Sequence, residues 1–418
     1  MTTAVAEAKP DRAHSSAPVE IAPPSKSDEA WRFANLKHLK GFEAPQETAA
    51  PDRATALSLD GRSSELPENA ARLVFANGRL ISFTTHSLPE GVIVLPLDEA
   101  RIQHPDLVTP YFMARPTEMG SGRYAAMHET NSQSGVFVYV PKSVEMPLPV
   151  EVFHWVGGGE SATIFPHTLV VAEANAKVTV IDHFQSADAT TPAHSVGVCD
   201  LVARDGAKIT HVNTQRWNRS SHGIQLSSTA VGKDAKATSF VLNLGGAWVR
   251  NEAVSHLDGP GANSDMLSIS IPVGDQQFDQ RTLQLHHAPN TTSDLLYKNT
   301  LYDKAKTVFA GLIVVDDGAH QTDAYQTCRN LLMSGEVEAN SMPGLEINAD
   351  GVKCSHGSTS GQINEDELFY LMARGIQRRS AEKLITLGFI QEVICRLQQP
   401  ALEETITRMV EAKFQAIS

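Results

Sequence analysis

Nothing in this 418-residue chain is apolar for long enough to cross a bilayer: its clearest apolar runs, such as Leu312-Ile313-Val314-Val315, fall far below the roughly 18 residues a span requires. Basic residues are scarce too. Lys and Arg number 35 against 48 Asp and Glu, and the resulting charge of −13 repels nucleic-acid phosphates and anionic lipid headgroups alike. Neither nucleic acid nor membrane is expected as a partner. Cysteine is limited to Cys199, Cys328, Cys354 and Cys395, far apart and without a CxxC pair, which excludes a secreted disulfide framework and favours reduced thiols in the cytoplasm. The motifs GxxxxGKS/T, GxSxG and HExxH are also missing, and with them the strong local signatures of phosphate-loop nucleotide hydrolysis, serine hydrolases and zinc proteases.

What is present has a globular composition, 41% hydrophobic and 20% charged, and a length that suits two or three domains or one elongated repeat body. Residues 1–27 mix Ala, Pro and Ser with Glu7, Asp11 and Glu20. They lack the apolar core of a secretory signal and the acid-poor bias of a transit peptide, so a disordered tail is expected. Residues 28–133 read as a mixed helical region. Trp31, Phe33, Leu36 and Leu39 recur at helical intervals, Asn77-Gly78 between Leu73-Val74-Phe75 and Leu80-Ile81-Ser82-Phe83 signals a hairpin, and a helical stretch from Asp106 to Met127 is broken by Pro110 and Pro116.

From 134 to 360 the pattern is mainly β, with runs such as Val136-Phe137-Val138-Tyr139-Val140 separated by Gly, Pro, Asn and Asp. A repeat is visible there: Ala176-Lys177-Val178-Thr179, Ala207-Lys208-Ile209-Thr210 and Ala235-Lys236-Ala237-Thr238 each follow an apolar strand and a small polar turn. Strand repeats of about 30 residues without intervening helices favour a β-solenoid or a propeller, with a plain sandwich as the competing reading. Residues 361–418 form a helical cap. Asn364 reads as an N-cap with Glu367 three positions on, Gly375 stops that helix, a second begins near Ser380 with the stripe Phe389, Ile390, Val393, Ile394 and Leu397, and a third runs from about Leu402 to Phe414. Its apolar faces either fold back on the β body or receive a partner.

The most pointed chemistry lies at Lys353-Cys354-Ser355-His356-Gly357. Residues i and i+2 of a strand project to one side, so the Cys354 thiol and the His356 imidazole can reach one metal or one reacting atom, and Lys353 is expected to favour the thiolate. Two ligands make half a site. The competing reading is a buried Cys beside a hydrogen-bonded His. The acidic turn with Asp316, Asp317, His320 and Asp323 reads as a hard-metal or acid/base site, or simply as a polar turn. His286 and His287 point to opposite faces of a strand, and Cys328 and Cys395 are expected in the core.

The tract Leu345-Glu346-Ile347-Asn348-Ala349-Asp350-Gly351-Val352-Lys353-Cys354-Ser355-His356-Gly357, with Gly361-Gln362, Leu368-Phe369-Tyr370-Leu371 and Arg374-Gly375-Ile376, closely resembles the C-terminal signature of the SufB/SufD family of iron-sulfur cluster assembly proteins. Gln326, Arg329-Asn330-Leu331-Leu332, Phe137 to Lys142 and Trp31-Arg32-Phe33 also fit, so the resemblance covers most of the chain after Glu29. The Cys-x-His-Gly form matches the SufD branch. Gly351 departs from it, since a second Asp is expected after Asp350.

The resemblance implies a right-handed parallel β-helix between an N-terminal helical or mixed region and a C-terminal α-helical domain. It also implies a non-catalytic scaffold that pairs with SufB through the β-helix and docks the SufC ATPase through the C-terminal helices, with Leu368, Leu371, Phe389, Ile390 and Val393 as contact residues. At the shared interface His356, with Cys354 beside it, is expected to take part in building a transient iron-sulfur cluster. Whether a flavin joins the complex, and whether the isolated chain self-pairs as a homodimer where SufB is absent, are left open. The alternative reading is a lone β-helical carbohydrate-active lyase or hydrolase using Asp316, Asp317 and Asp323.

Overall fold

The computed structural model describes residues 21–43, 50–115, 119–132, 134–157 and 162–416; residues 1–20 of the expected tail lie outside them. From Ser134 to Gln362 the chain winds as a parallel β-solenoid of about eight turns, each turn giving one strand to each of two sheets. The first sheet runs through Val150–Val156, Lys177–Ser186, Lys208–Arg216, Lys236–Asn243, Asn263–Ser270, Thr292–Leu301, Asp323–Leu332 and Lys353–Gln362. The second runs through Ser134–Val140, Pro166–Ala172, Ala193–Ala203, His222–Val231, Trp248–Leu257, Gln277–His286, Lys306–Val315 and Glu338–Ile347. The sequence repeat is the rung of this ladder. Lys177, Lys208 and Lys236 stand in register, and Ala176, Ala207 and Ala235 before them are buried where each coil turns inward.

The hairpin at Asn77-Gly78 forms as expected, both residues in the left-handed region that such a turn requires. It does not stand apart. Ala71–Ala76 pairs in parallel with Val150–Val156, so the hairpin is the first rung of the first sheet, while Ile93–Pro96 closes the start of the second sheet in antiparallel fashion. Between Ile93–Pro96 and Ser134–Val140 the helices are short: Leu97–Gln103, Pro105–Val108 and Gly122–Asn131.

Strands of a parallel solenoid present apolar side chains on both faces and need cover outside as well as packing inside. The N-terminal region covers the second sheet, with Trp31, Leu39, Phe42 and Tyr124 packed on Val196, Val198, Ile224, Leu226 and Trp248. Its anchor is Arg250, fully buried. That guanidinium lies 3.9 Å from the Trp31 ring, donates to Glu252 at 2.7 Å and Asp279 at 2.6 Å, and reaches the carbonyls of Ala30 and Met119. The helices Arg378–Cys395 and Pro400–Ala416 cover the first sheet, seating Ile390, Val393, Ile394, Ile406 and Val410 on Ile181, Phe240, Leu267 and Leu296. No helix among the described residues is long and apolar enough to cross a membrane.

Arg250 neutralises two buried carboxylates and holds two N-terminal carbonyls, so its loss strands uncompensated charge. Arg250→Ala is expected to cost about 3–5 kcal/mol of stability and to release residues 21–43 to proteolysis, measured by denaturant unfolding and limited digestion. A loss within the few tenths of an ordinary surface change would reject this anchoring role.

Candidate functional site

The two ends of the solenoid differ. At the C-terminal end, Lys353–Gln362 pairs only with Asp323–Leu332, and Glu338–Ile347 only with Lys306–Val315, so among the described residues both sheets finish in an unpaired ten-residue edge. Register then fixes which side chains fill the mouth. Ala324, Gln326, Cys328 and Asn330 are buried inside the preceding coil, and they stand opposite Cys354, His356, Ser358 and Ser360. Stacked strands point matched side chains the same way, so these four face inward at the open end. Asn330 Nδ2 donating to Ser360 Oγ at 3.1 Å agrees with that orientation. The structure thus brings Cys354 and His356 to one side of one strand.

Cys354 is half-buried against Ile313, Val315, Ala319 and Ala324. Burial pushes its thiol up, a hydrogen bond from the Ala324 backbone opposes that, and the charge of Asp323 adds to it. The expectation that Lys353 favours the thiolate is therefore corrected. Lys353 belongs to the opposite face of the strand, and desolvation decides. Beneath His356 in register, both side-chain polar atoms of Gln326 are buried without a hydrogen-bond partner. Gly311 lies so close that a Cβ there would fall 2.2 Å from Gln326 Nε2. Gly351, the departure from the expected Asp, has φ of +70°, a left-handed turn that glycine adopts without strain just before the strand begins.

The helical cap corrects a second expectation. Leu368, Ile390 and Val393 are fully buried in this chain's own core, Leu371 is half-buried, and Phe389 packs beneath Lys298, whose ammonium sits 4.8 Å from its ring. The stripe reports packing on the sheet. The large apolar side chains left in solvent on these helices are Phe369, Tyr370 and Met372 on Glu365–Ala373 and Leu384 on the next helix. Cys328 is buried and pushed up to about 12 by desolvation, as a core thiol should be, whereas Cys395 is exposed in the last turn of its helix rather than in the core. In the acidic turn, Asp316 accepts from His287 Nδ1 at 2.6 Å, Asp317 is exposed, and Asp323 opens the following strand.

Sequence reading missed a cluster deep in the lumen. Asp182 accepts from His211 Nε2 at 2.8 Å, from Thr168 Oγ1 at 2.8 Å and from His154 Nε2 at 3.3 Å, and Cys199 Sγ lies 3.7 Å from His211 Nε2. All five residues are buried. Burial alone would raise Asp182, but the hydrogen bonds of the two imidazoles win and hold its carboxyl far below the usual range. Desolvation and the nearby charges of Asp182 and Asp200 push the Cys199 thiol well up, so it stays protonated and unreactive. The one signal available was the spacing of His154, Asp182 and His211, about one coil apart.

The family models match along nearly the whole described body: a SUF system FeS cluster assembly, SufBD core domain over residues 154–389 and a SufBD protein N-terminal region over residues 23–152. The chain belongs to the SufBD family. It is 29% identical to the iron-sulfur cluster assembly protein SufD of Escherichia coli, over 92% of this chain and 87% of that one. SufD of Bacillus subtilis is 25% identical over 80% and 76%, and a SufBD family protein of Synechocystis is 27% identical over 93% and 87%. Membership over the entire solenoid sets aside the carbohydrate-lyase alternative.

The Asp182 cluster tests as a structural element. Asp182→Ala removes the shared acceptor of two buried imidazoles and is expected to cost about 3–5 kcal/mol, read by chemical denaturation. A change under about 1 kcal/mol, at the small end of ordinary substitutions, would show that the lumen tolerates its loss.

Proposed function

We propose that this SufD-like protein of the Suf iron-sulfur cluster assembly system is a non-catalytic scaffold. Its open solenoid end pairs with a SufB partner, and His356 and Cys354 offer ligands there to iron or to the nascent cluster, which is cargo rather than resident cofactor. The observation that carries this reading is the unpaired double edge with a thiol and an imidazole at its mouth. An iron site takes about four ligands, and one strand supplies two, so the set is completed only when a second chain closes the mouth. The raised Cys354 thiol suits such a shared site. It is held protonated while the chain is alone and gives up its proton when a cation arrives.

The second part of the proposal concerns the helical cap. Its exposed side chains, Phe369, Tyr370, Met372 and Leu384, form the face on which the SufC ATPase docks, while the buried stripe fixes that face to the β body. Movement of the ATPase would then be transmitted rigidly to the first sheet and to the open mouth, a coupling of two sites through one body.

In a complex assembled from co-expressed subunits, His356→Ala is expected to leave subunit stoichiometry unchanged and to lower the iron and sulfide content of the eluate. Full iron and sulfide in that variant would remove His356 from the chemistry. For the cap, Phe369→Ala combined with Tyr370→Ala is expected to weaken SufC capture by about 2 kcal/mol or more, as for paired aromatic anchors, without loss of stability because both side chains are exposed. Calorimetric titration that finds equal affinity moves the contact to another surface.

A further inference from the structure

A second constellation lies on the outer corner of the solenoid, where strands of the second sheet end and the chain turns into the first. Leu257, His286 and Val315 are stacked in register as the last rungs of three successive strands. The ladder continues one residue further, the N–H of His287 donating to Leu257 O at 3.1 Å and that of Asp316 to His286 O at 3.0 Å. Asp258, His287 and Asp316 thus form a column along the corner, about 4.8 Å apart per coil. His256, two residues before Asp258, lies on the same outward face. Its ring is 5.9 Å from that of His287, the planes inclined by 21°.

Ligand atoms of His256, Asp258 and His287 all lie within 4.8 Å of one another, the one group of its kind among the described residues. Two details suit them to an ion. The Asp316 carboxylate can only accept, so the 2.6 Å bond fixes the proton of His287 on Nδ1 and leaves a lone pair on Nε2. A carboxylate behind an imidazole in this way is how proteins orient metal-binding histidines. His256 Nε2 is buried without any hydrogen-bond partner. Desolvation, with the nearby charges of Arg115 and His287, lowers His256 to about 4, so its imidazole is neutral at physiological pH and free to donate a lone pair.

We propose that His256, Asp258 and His287 bind one divalent transition-metal ion of the Fe2+ or Zn2+ class, with Asp316 as the positioning residue for His287. Two imidazoles and one carboxylate make a borderline donor set, suited to those ions and poor for Mg2+ or Ca2+, which prefer all-oxygen shells. Arg115 regulates access. Its Nη1 lies 2.5 Å from Asp258 Oδ2, so the guanidinium holds the carboxylate in place of a cation and gives way when one binds. The corner leads two coils onward, through Asp316, to Asn348 and the turn that precedes Cys354. The site stands independently of the reading of His356 and Cys354.

The test is anaerobic titration of the untagged full-length chain with Co2+, followed by visible ligand-field absorption, with Zn2+ and Fe2+ as competitors. One ion per chain is expected. His256→Ala and His287→Ala should each weaken binding at least tenfold, Asp316→Ala by about 10–100-fold as for other outer partners of ligating histidines, and Arg115→Ala should tighten it. His287 is exposed, so its variant decides the matter if His256→Ala proves unstable by circular dichroism. No absorption from the wild-type chain, or unchanged binding in a folded His287→Ala variant, overturns the proposal. Loss of the ion in a Cys354→Ala, His356→Ala variant with retention in His287→Ala also overturns it, placing the ion at the mouth.

Discussion

Main-chain pairing between coils is the interaction on which everything else in this molecule rests. In a parallel solenoid each strand is satisfied by the strand before it and the strand after it, so the structure propagates without difficulty and ends badly. The start is terminated by antiparallel partners, Arg79–Thr85 on one sheet and Ile93–Pro96 on the other. The finish has no such device. Lys353–Gln362 and Glu338–Ile347 leave their outer N–H and C=O groups unpaired among the described residues, and no residue of either strand is fully buried.

The interior mixes apolar and polar side chains along the same axis. Near the start, Val136, Val138, Val152, Val170, Val178 and Val180 form an apolar lumen. Toward the finish amides and hydroxyls share the lumen with Met266, Leu295, Tyr297, Phe309 and Cys328. Gln280 reaches Ser268 and Ser270, Gln284 reaches Ser293, Asn299 reaches Asn330, and Gln326 has no partner. Unpartnered buried amides cost more than apolar residues of equal size, which makes Gln326 a local cost in the coil beneath the open end. The C-terminal helices brace the body from outside, where Lys298 is held by Phe389 O and Glu392 and Lys413 by Leu244 O.

Much of this was legible because it is periodic or local. The Ala-Lys-x-Thr repeat gave the coil, Asn77-Gly78 the hairpin, Asn364 and Gly375 the limits of the first cap helix, and the i, i+2 relation put Cys354 and His356 on one face. What was hidden depends on residues a full coil apart. His154, Asp182 and His211 meet as diagonal neighbours on one face of successive strands, Asp182 itself standing in register with Val152 and Asn213, and His256, in register with Leu285, likewise reaches His287 diagonally, yet nothing near either residue in sequence announces the other. Periodicity also tells that a helix face is covered without telling by what. Ile390 and Val393 read as a docking stripe and are covered by Leu267 and Leu296 of the same chain. Cys395 read as core because its neighbours are apolar, but it falls on the outer side of the helix's last turn.

The composition of the open edge bears on what kind of partner could close it. Of its two strands, Glu338–Ile347 carries Met342, Leu345 and Ile347 beside Glu338 and Glu346, whereas the last strand is not apolar. Between Lys353 and Gln362 it carries Ser355, Ser358, Thr359 and Ser360 with Gly357 and Gly361, and its single charged side chain is at the first position. Edges of ordinary soluble proteins are blunted by several charges, bulges or covering segments. Here small side chains leave the backbone accessible, which suits association by main-chain hydrogen bonds with little hydrophobic gain. Such an interface is selective only if the side chains at its mouth are matched across it, because backbone groups are the same in every strand. On the reading proposed above, Cys354 and His356 would be the matched side chains of that mouth, so the two residues proposed to hold iron would also be those that discriminate one closing partner from another.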